Sequence, residues 1–164
     1  MPEAVIAAGS NVRPRASLRR ALAMLRDEFP GLRTSPAYAN QAVGFEGDDF
    51  VNLVAAFHTE RPLPELLSTL KAIERALGRE PGAPKWGPRT LDLDLLLYGG
   101  LTGKFEGATL PHKDLATRAW VLGPLAVLAP ELRHPVSGER IGELWRRFDR
   151  DAHPLAETSL EDPD

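Results

Sequence analysis

The sequence contains no cysteine among its 164 residues. This absence excludes disulfide bonds, thiolate metal sites and cysteine nucleophiles, and it is typical of proteins from a reducing compartment. The chain also has little excess charge, because 20 basic and 23 acidic side chains leave a formal net charge of -3. No overall basic field would attract nucleic acid or an anionic membrane. An anionic ligand would therefore have to be bound by a local group of Lys and Arg side chains.

Long apolar runs are lacking as well. Residues 1–11 carry Glu3 and no Lys or Arg, so they lack the basic region of a signal peptide. No apolar run approaches the roughly 20 residues that a membrane-spanning helix needs. We therefore expect a cytoplasmic monomer that binds neither a membrane nor nucleic acid.

Hydrophobic periodicity predicts alternating strands and helices over the first hundred residues. Apolar runs predict strands at 4–8, 32–40, 50–60 and 91–98, and helical spacing predicts helices at 14–29 and 62–77. The resulting order, βαββαβ, is the split βαβ arrangement of ferredoxin-like folds. We expect an α+β protein with an antiparallel sheet and two helices packed on one face.

Residues 1–148 are predicted to form a single domain. The stretch 101–110 reads as weakly extended, 114–128 as a helix interrupted at Gly123-Pro124, and 141–148 as a last short helix. Residues 149–164 are acidic, contain proline and have few large apolar groups, so we expect a poorly ordered tail. Residues 79–88 hold three prolines and two glycines, which predicts a long loop of the kind that often carries function.

The segment 91–96 carries the strongest chemical signal. On a strand, Leu91, Leu93 and Leu95 point to one face, while Asp92 and Asp94 stand side by side on the other, roughly 6 to 7 Å apart at their bases. Such a pair is often only the solvated face of a strand. Carboxylates completed by phosphate and water oxygens are nevertheless what magnesium prefers, and two such ions can clamp a phosphoryl transfer.

Cationic and aromatic residues precede this pair. Arg89 lies directly before it, and Arg79, Lys85 and Trp86 lie in the loop ahead. Guanidinium and ammonium groups beside metal-binding carboxylates are what a nucleoside triphosphate requires.

Four motifs in order resemble one family. The run Trp86 to Leu96, the opening Ala8-Gly9-Ser10-Asn11, the segment Phe50-Val51-Asn52, and Leu110-Pro111-His112 with Arg118 are similar to 6-hydroxymethyl-7,8-dihydropterin pyrophosphokinases of folate biosynthesis. The resemblance extends from about Ala4 to Glu143 and implies the same ferredoxin-like core. It also implies transfer of pyrophosphate from ATP to the hydroxymethyl group of the pterin, with release of AMP.

The resemblance implies a role for each matching position. Asp92 and Asp94 would bind two Mg²⁺ ions, with Arg89 as a further catalytic residue. The implied ATP-binding residues are Glu74, Arg79, Lys85, Trp86, His112, Lys113 and Arg118. The pterin ring would lie between Phe50 and Trp120, with Asn52 and the backbone near Val43 at its edge.

Some positions depart from the family pattern, and two alternatives remain open. Pro81 and Gly82 occupy a region that often carries a second arginine, and Lys85 stands where arginine is frequent, so fewer bidentate phosphate contacts are available. A relative that binds pterin but has lost transfer activity is one alternative. The other is a ferredoxin-like module that binds RNA or a regulatory molecule, although such a sheet would carry aromatic and basic residues where Asp92 and Asp94 lie.

Overall fold

The computed structural model describes residues 1–40, 50–78 and 91–164. The elements in chain order are β1 (Glu3–Ser10), α1 (Pro14–Glu28), β2 (Arg33–Thr34), β3 (Ala37–Asn40), β4 (Phe50–His58), α2 (Leu63–Ala76), β5 (Asp92–Tyr98), β6 (Gly103–Phe105), β7 (Ala108–Leu110), α3 (Ala119–Leu128), α4 (Ile141–Arg147) and β8 (Ala156–Thr158).

The main sheet has the strand order β5-β1-β4-β3-β8, and β2 pairs beside β3 on β4. Each of these pairings is antiparallel. The predicted βαββαβ order and the ferredoxin-like core are therefore confirmed, with the predicted second strand divided into β2 and β3. The weakly extended stretch forms a separate hairpin, β6-β7.

Helices cover both faces of the sheet. Apolar side chains of α1 and α2 pack against Ile6, Leu53 and Leu93 on one face. Side chains of α3 and α4 pack against Val5 and Val54 on the other. The predicted pair of helices, α1 and α2, is present on one face. We did not predict that α3 and α4 cover the other face. The central strands β1 and β4 bear apolar side chains on both faces, so both need a cover.

Helix α3 runs through the predicted interruption, which was a wrong expectation. Gly123 and Pro124 lie inside it, and both are buried. A Cβ at Gly123 would lie 2.9 Å from the ring of Trp145 in α4, so this glycine allows the two helices to approach closely. The helix begins at Ala119, not at Asp114, because residues 113–117 form turns.

The C-terminal segment differs from the poorly ordered tail that we expected. Strand β8 pairs with β3, whose outer edge would otherwise leave backbone groups unpaired. Beyond it, the two carboxylate oxygens of Asp164 accept hydrogen bonds from the backbone N–H groups of Arg15 and Ala16 at 2.7 and 3.1 Å. These contacts cap the first turn of α1, where a negative charge is favourable. One acidic residue of this segment, Asp164, therefore caps α1.

None of the helices in the described ranges is both long and apolar enough to cross a membrane.

Candidate active site

The Asp92 and Asp94 side chains lie on β5, at the edge of the main sheet. Leu91, Leu93 and Leu95 enter the core beneath α1 and α2, which confirms the predicted alternation. The two aspartates are only partly buried, and the Asp94 side chain is 42% exposed. Both carboxylates are therefore accessible to a ligand from solvent.

The strand register places the predicted pterin-binding residue Asn52 close to these aspartates. Gly9 of β1 pairs with Asn52 of β4 on one side and with Asp92 of β5 on the other. Phe50, two residues before Asn52, shares its face of β4. Trp120, near the start of α3, packs against the core on that same face. The sheet thus presents the predicted pterin and metal residues on one side.

A cavity of about 460 Å³ opens between α2, β5 and the hairpin. Its walls include five of the predicted site residues together with others that the sequence did not single out: Leu67, Leu70, Lys71, Glu74, Asp92, Leu93, Asp94, Leu95, Gly107, Ala108, Thr109, His112 and Lys113. Lys71 and Thr109 are polar residues that we did not predict. Lys71 lies three residues before Glu74 on α2, so helical spacing to a predicted residue could have indicated it.

His112 lies beside Asp94 in the wall of this cavity, with Nε2 4.0 Å from Oδ1. Its Nδ1 accepts a hydrogen bond from the backbone N–H of Asp114 at 3.0 Å. A neutral imidazole with Nδ1 as acceptor carries its proton on Nε2, so His112 presents a donor to the cavity. Burial lowers the pKa of His112 below its usual 6.5 and Lys113 lowers it further, whereas the Asp114 and Asp92 carboxylates oppose these effects.

Asp114 also contacts the predicted phosphate ligand Arg118. Its Oδ1 lies 3.7 Å from Nε of Arg118, one helical turn along the chain. The guanidinium of Arg118 in turn lies over the ring of Trp120, 5.4 Å from the centroid. Sequence reasoning missed Asp114, although its positions two residues after His112 and four before Arg118 were a signal. The structure links residues predicted for ATP and for the pterin.

Glu74 is buried, with 8% of its surface exposed. Its Oε2 accepts a hydrogen bond from the backbone N–H of Leu93 at 2.7 Å. The carboxylate thereby attaches α2 to β5 between the two aspartates. Glu74 also lines the cavity. Its contact with ATP stays a prediction, in addition to this structural role.

Five predicted site residues lie outside the described residues: Val43, Arg79, Lys85, Trp86 and Arg89.

The donor set at β5 fits magnesium. Within the described ranges, no group of three or more His, Asp or Glu side chains could hold a metal ion by itself. Two carboxylates supplemented by phosphate and water oxygens are the usual way in which a protein holds Mg²⁺ beside a nucleotide. Asp92 and Asp94 on one strand face are a pair of that kind.

Comparison with known proteins identifies a family. Residues 5–130 match the family described as 7,8-dihydro-6-hydroxymethylpterin-pyrophosphokinase. A protein of Synechocystis named 2-amino-4-hydroxy-6-hydroxymethyldihydropteridine pyrophosphokinase is 41% identical over 117 residues, which are 71% of this chain and 60% of that protein. One of the same name from Pseudomonas aeruginosa is 41% identical over 144 residues, 85% of this chain and 87% of that protein.

A solved structure shares the fold. The Plasmodium falciparum HPPK-DHPS triple mutant superposes with a TM-score of 0.71 at 16% identity, over 89% of this chain and 44% of that one. This chain therefore spans less than half of the structure that it resembles, and 60% of the Synechocystis relative. The match over residues 5–130 and the 41% identity to the Pseudomonas aeruginosa protein assign the chain to the 7,8-dihydro-6-hydroxymethylpterin-pyrophosphokinase family.

Proposed function

We propose that the chain transfers a pyrophosphoryl group from ATP to the hydroxymethyl oxygen of 6-hydroxymethyl-7,8-dihydropterin and releases AMP. The observation that carries this proposal is the sheet face on which Asp92 lies across Gly9 from Asn52, beside a cavity lined by Asp94 and His112. One face thus offers carboxylates for metal and an amide for a flat polar ring. Membership of the pyrophosphokinase family supports the same reaction.

Asp92 and Asp94 would hold two Mg²⁺ ions. When bound, these ions neutralise charge on the phosphates and on the oxygen that leaves with AMP. The two side chains supply carboxylate oxygens. They lie on strand β5, which pairs with β1 and is attached to α2 because its Leu93 N–H donates to Glu74. Such rigid support keeps the two carboxylates in one geometry.

The cationic and donor groups around the cavity would bind the triphosphate. His112 offers its Nε2–H, while Lys113 and Arg118 add positive charge on the same loop. Asp114 restrains both His112 and Arg118. We assign Arg79, Lys85, Trp86 and Arg89 to the nucleotide site from the sequence alone, and Glu74 from the sequence and its place in the cavity wall.

The pterin ring would lie between two aromatic side chains, with amide groups at its edge. Phe50 and Trp120 supply stacking surfaces, and Asn52 and the backbone near Val43 supply hydrogen bonds to the ring. Stacking gives a flat heterocycle most of its buried area, and a few convergent polar groups fix its orientation. Arg118 lies over Trp120, so the phosphate and acceptor sites are neighbours.

In the reaction, the hydroxymethyl oxygen forms a bond to the β-phosphorus of ATP, and the bond from that phosphorus to the α,β-bridging oxygen breaks. The electron pair of the broken bond leaves with AMP, and the proton of the hydroxyl group passes to solvent. Transfer of this kind needs no covalent enzyme intermediate, because catalysis rests on positioning and charge stabilisation. The lack of cysteine and of an obvious nucleophile in the sequence is consistent with this chemistry.

The decisive assay mixes the protein with ATP, Mg²⁺ and the pterin alcohol and measures AMP. We expect AMP only when all components are present, in an amount equal to that of the pyrophosphorylated pterin. Pterin binding without AMP would indicate the relative that has lost transfer activity. Absence of both binding and AMP would leave the binding-module alternative and refute the proposal.

A further inference from the structure

Gly9 lies in the sheet between a predicted pterin-binding residue and a predicted metal ligand. It is buried in β1, with Asn52 opposite on one neighbouring strand and Asp92 opposite on the other. Side chains at three paired positions would normally stand next to one another on one face. Here the middle position, between Asn52 and Asp92 in the register, has no side chain.

The Asn52 amide uses this space. A Cβ built at Gly9 would lie 2.4 Å from Oδ1 of Asn52, whereas the next neighbour, the backbone oxygen of Val51, would lie 3.8 Å away. The amide oxygen therefore lies where the side chain of any other residue would begin. Gly9 has no positive φ, so its backbone is that of an ordinary strand residue.

The position of the amide is also fixed from the other side. Nδ2 of Asn52 donates a hydrogen bond to Oδ1 of Asn40, on the adjacent strand β3. With Asn40 on one side and Gly9 beneath it, the amide has little freedom to turn. A Cβ at position 9 would push it away from β1 and disturb its hydrogen bond to Asn40.

We propose that Gly9 is a positioning residue for the acceptor, and this rests on the proposed function. Its missing side chain lets the Asn52 amide lie over β1, so that a flat heteroaromatic alcohol is held at the correct distance from Asp92. A displaced amide would no longer meet the edge of the ring, so the pterin alcohol would bind more weakly. This amide serves the pterin and not the nucleotide.

The test is Gly9→Ala, measured by AMP formation at varied pterin and by calorimetry with a non-hydrolysable ATP analogue and Mg²⁺. We expect the KM for the pterin alcohol to rise about tenfold, as the loss of about one well-placed hydrogen bond would give, with analogue affinity within twofold of wild type. Gly100→Ala is the matched control, because no atom lies within 4 Å of a Cβ there and its φ is not positive. It should behave as wild type.

Coupling to Asn52 completes the test. In an Asn52→Ala background, Gly9→Ala should cause less than a twofold further change in pterin KM, because the displaced amide is gone. If the Gly9→Ala protein does not fold, the double variant that also carries Asn52→Ala must fold. Unchanged pterin KM in Gly9→Ala, equal weakening of both ligands, full additivity, or an unrestored fold would each overturn the inference. A wild-type protein that forms no AMP would refute the proposed function, and this inference with it.

Discussion

Nε2 of His112 and Oδ1 of Asp94 lie 4.0 Å apart in the wall of one cavity. The imidazole comes from the loop after the β6-β7 hairpin and the carboxylate from the edge strand of the main sheet. The backbone N–H of His112 also donates to the carbonyl of Leu96 at 3.0 Å, which fastens that loop to β5. A hydrogen-bond donor and a carboxylate that we propose as a metal ligand are thus held next to each other at the cavity.

Replacing Asp94 by Asn should abolish transfer without unfolding the protein. The substitution keeps the shape but removes the charge that holds Mg²⁺, so we expect kcat to fall at least about a hundredfold. Asp92→Asn should do the same. The melting temperature should change little, because the Asp94 side chain is 42% exposed. Asp27→Asn, at an exposed site on α1, is the control. Either site variant with near-normal turnover would rule out the carboxylate pair as the metal site.

Replacing Trp120 by Ala should weaken pterin binding selectively. Loss of one stacking face costs about 0.5 to 1.5 kcal/mol beyond the lost burial, so pterin affinity should fall tenfold or more. Nucleotide affinity measured without pterin should change far less. Calorimetry with each ligand and a melting curve provide the measurements.

Trp145→Ala is the matched control for this prediction. Trp145 is partly buried on the same face of the sheet, but it packs against Phe148 and Gly123. Its loss should lower the melting temperature and leave pterin affinity unchanged. Equal weakening of ATP and pterin in a destabilised Trp120→Ala protein would reject the stacking role.

Replacing Glu74 by Ala should destabilise the fold as well as the site. The buried N–H of Leu93 would lose its partner, which costs about 1 to 3 kcal/mol in the free energy of unfolding. Glu74→Gln retains a carbonyl oxygen that can accept the hydrogen bond, so it should lose much less. Urea denaturation measures both, with Glu65→Ala on the exposed face of α2 as the control. A Glu74→Ala protein as stable as wild type would show that this hydrogen bond does not fasten α2 to β5.

The metal-free protein should lose stability in mildly acidic solution through His112. Burial lowers the pKa of His112 in the folded state below 6.5, so the unfolded chain binds the proton more tightly. This contribution is fully present above the unfolded pKa and is lost as the pH falls through the folded one. Urea denaturation at pH 7.5 and 5.5 should therefore show a smaller decrease for His112→Asn, whose amide oxygen can replace Nδ1 as acceptor. The same decrease in both proteins would contradict a buried, neutral His112.

The sequence predicted the core sheet and the shared face of Asp92 and Asp94 because both depend on short periodic patterns. The other candidate site residues came from the family resemblance, and their roles stay predictions. Alternation placed Asp92 and Asp94 on one face, and helical spacing located α1 and α2. Two features depend on contacts between distant segments, which no local pattern records. They are the close approach of Gly123 to Trp145 and the cap that Asp164 provides for α1.

Labelled ATP tests the central claim, pyrophosphoryl transfer at the Asp92 and Asp94 site, most directly. With the pterin alcohol and Mg²⁺ present, radioactive phosphorus at the β or γ position should appear in the pterin product, and phosphorus at the α position should remain in AMP. Asp94→Asn, assayed in parallel, should move neither label. Label in free phosphate, formation of ADP, or equal transfer by Asp94→Asn would contradict the account.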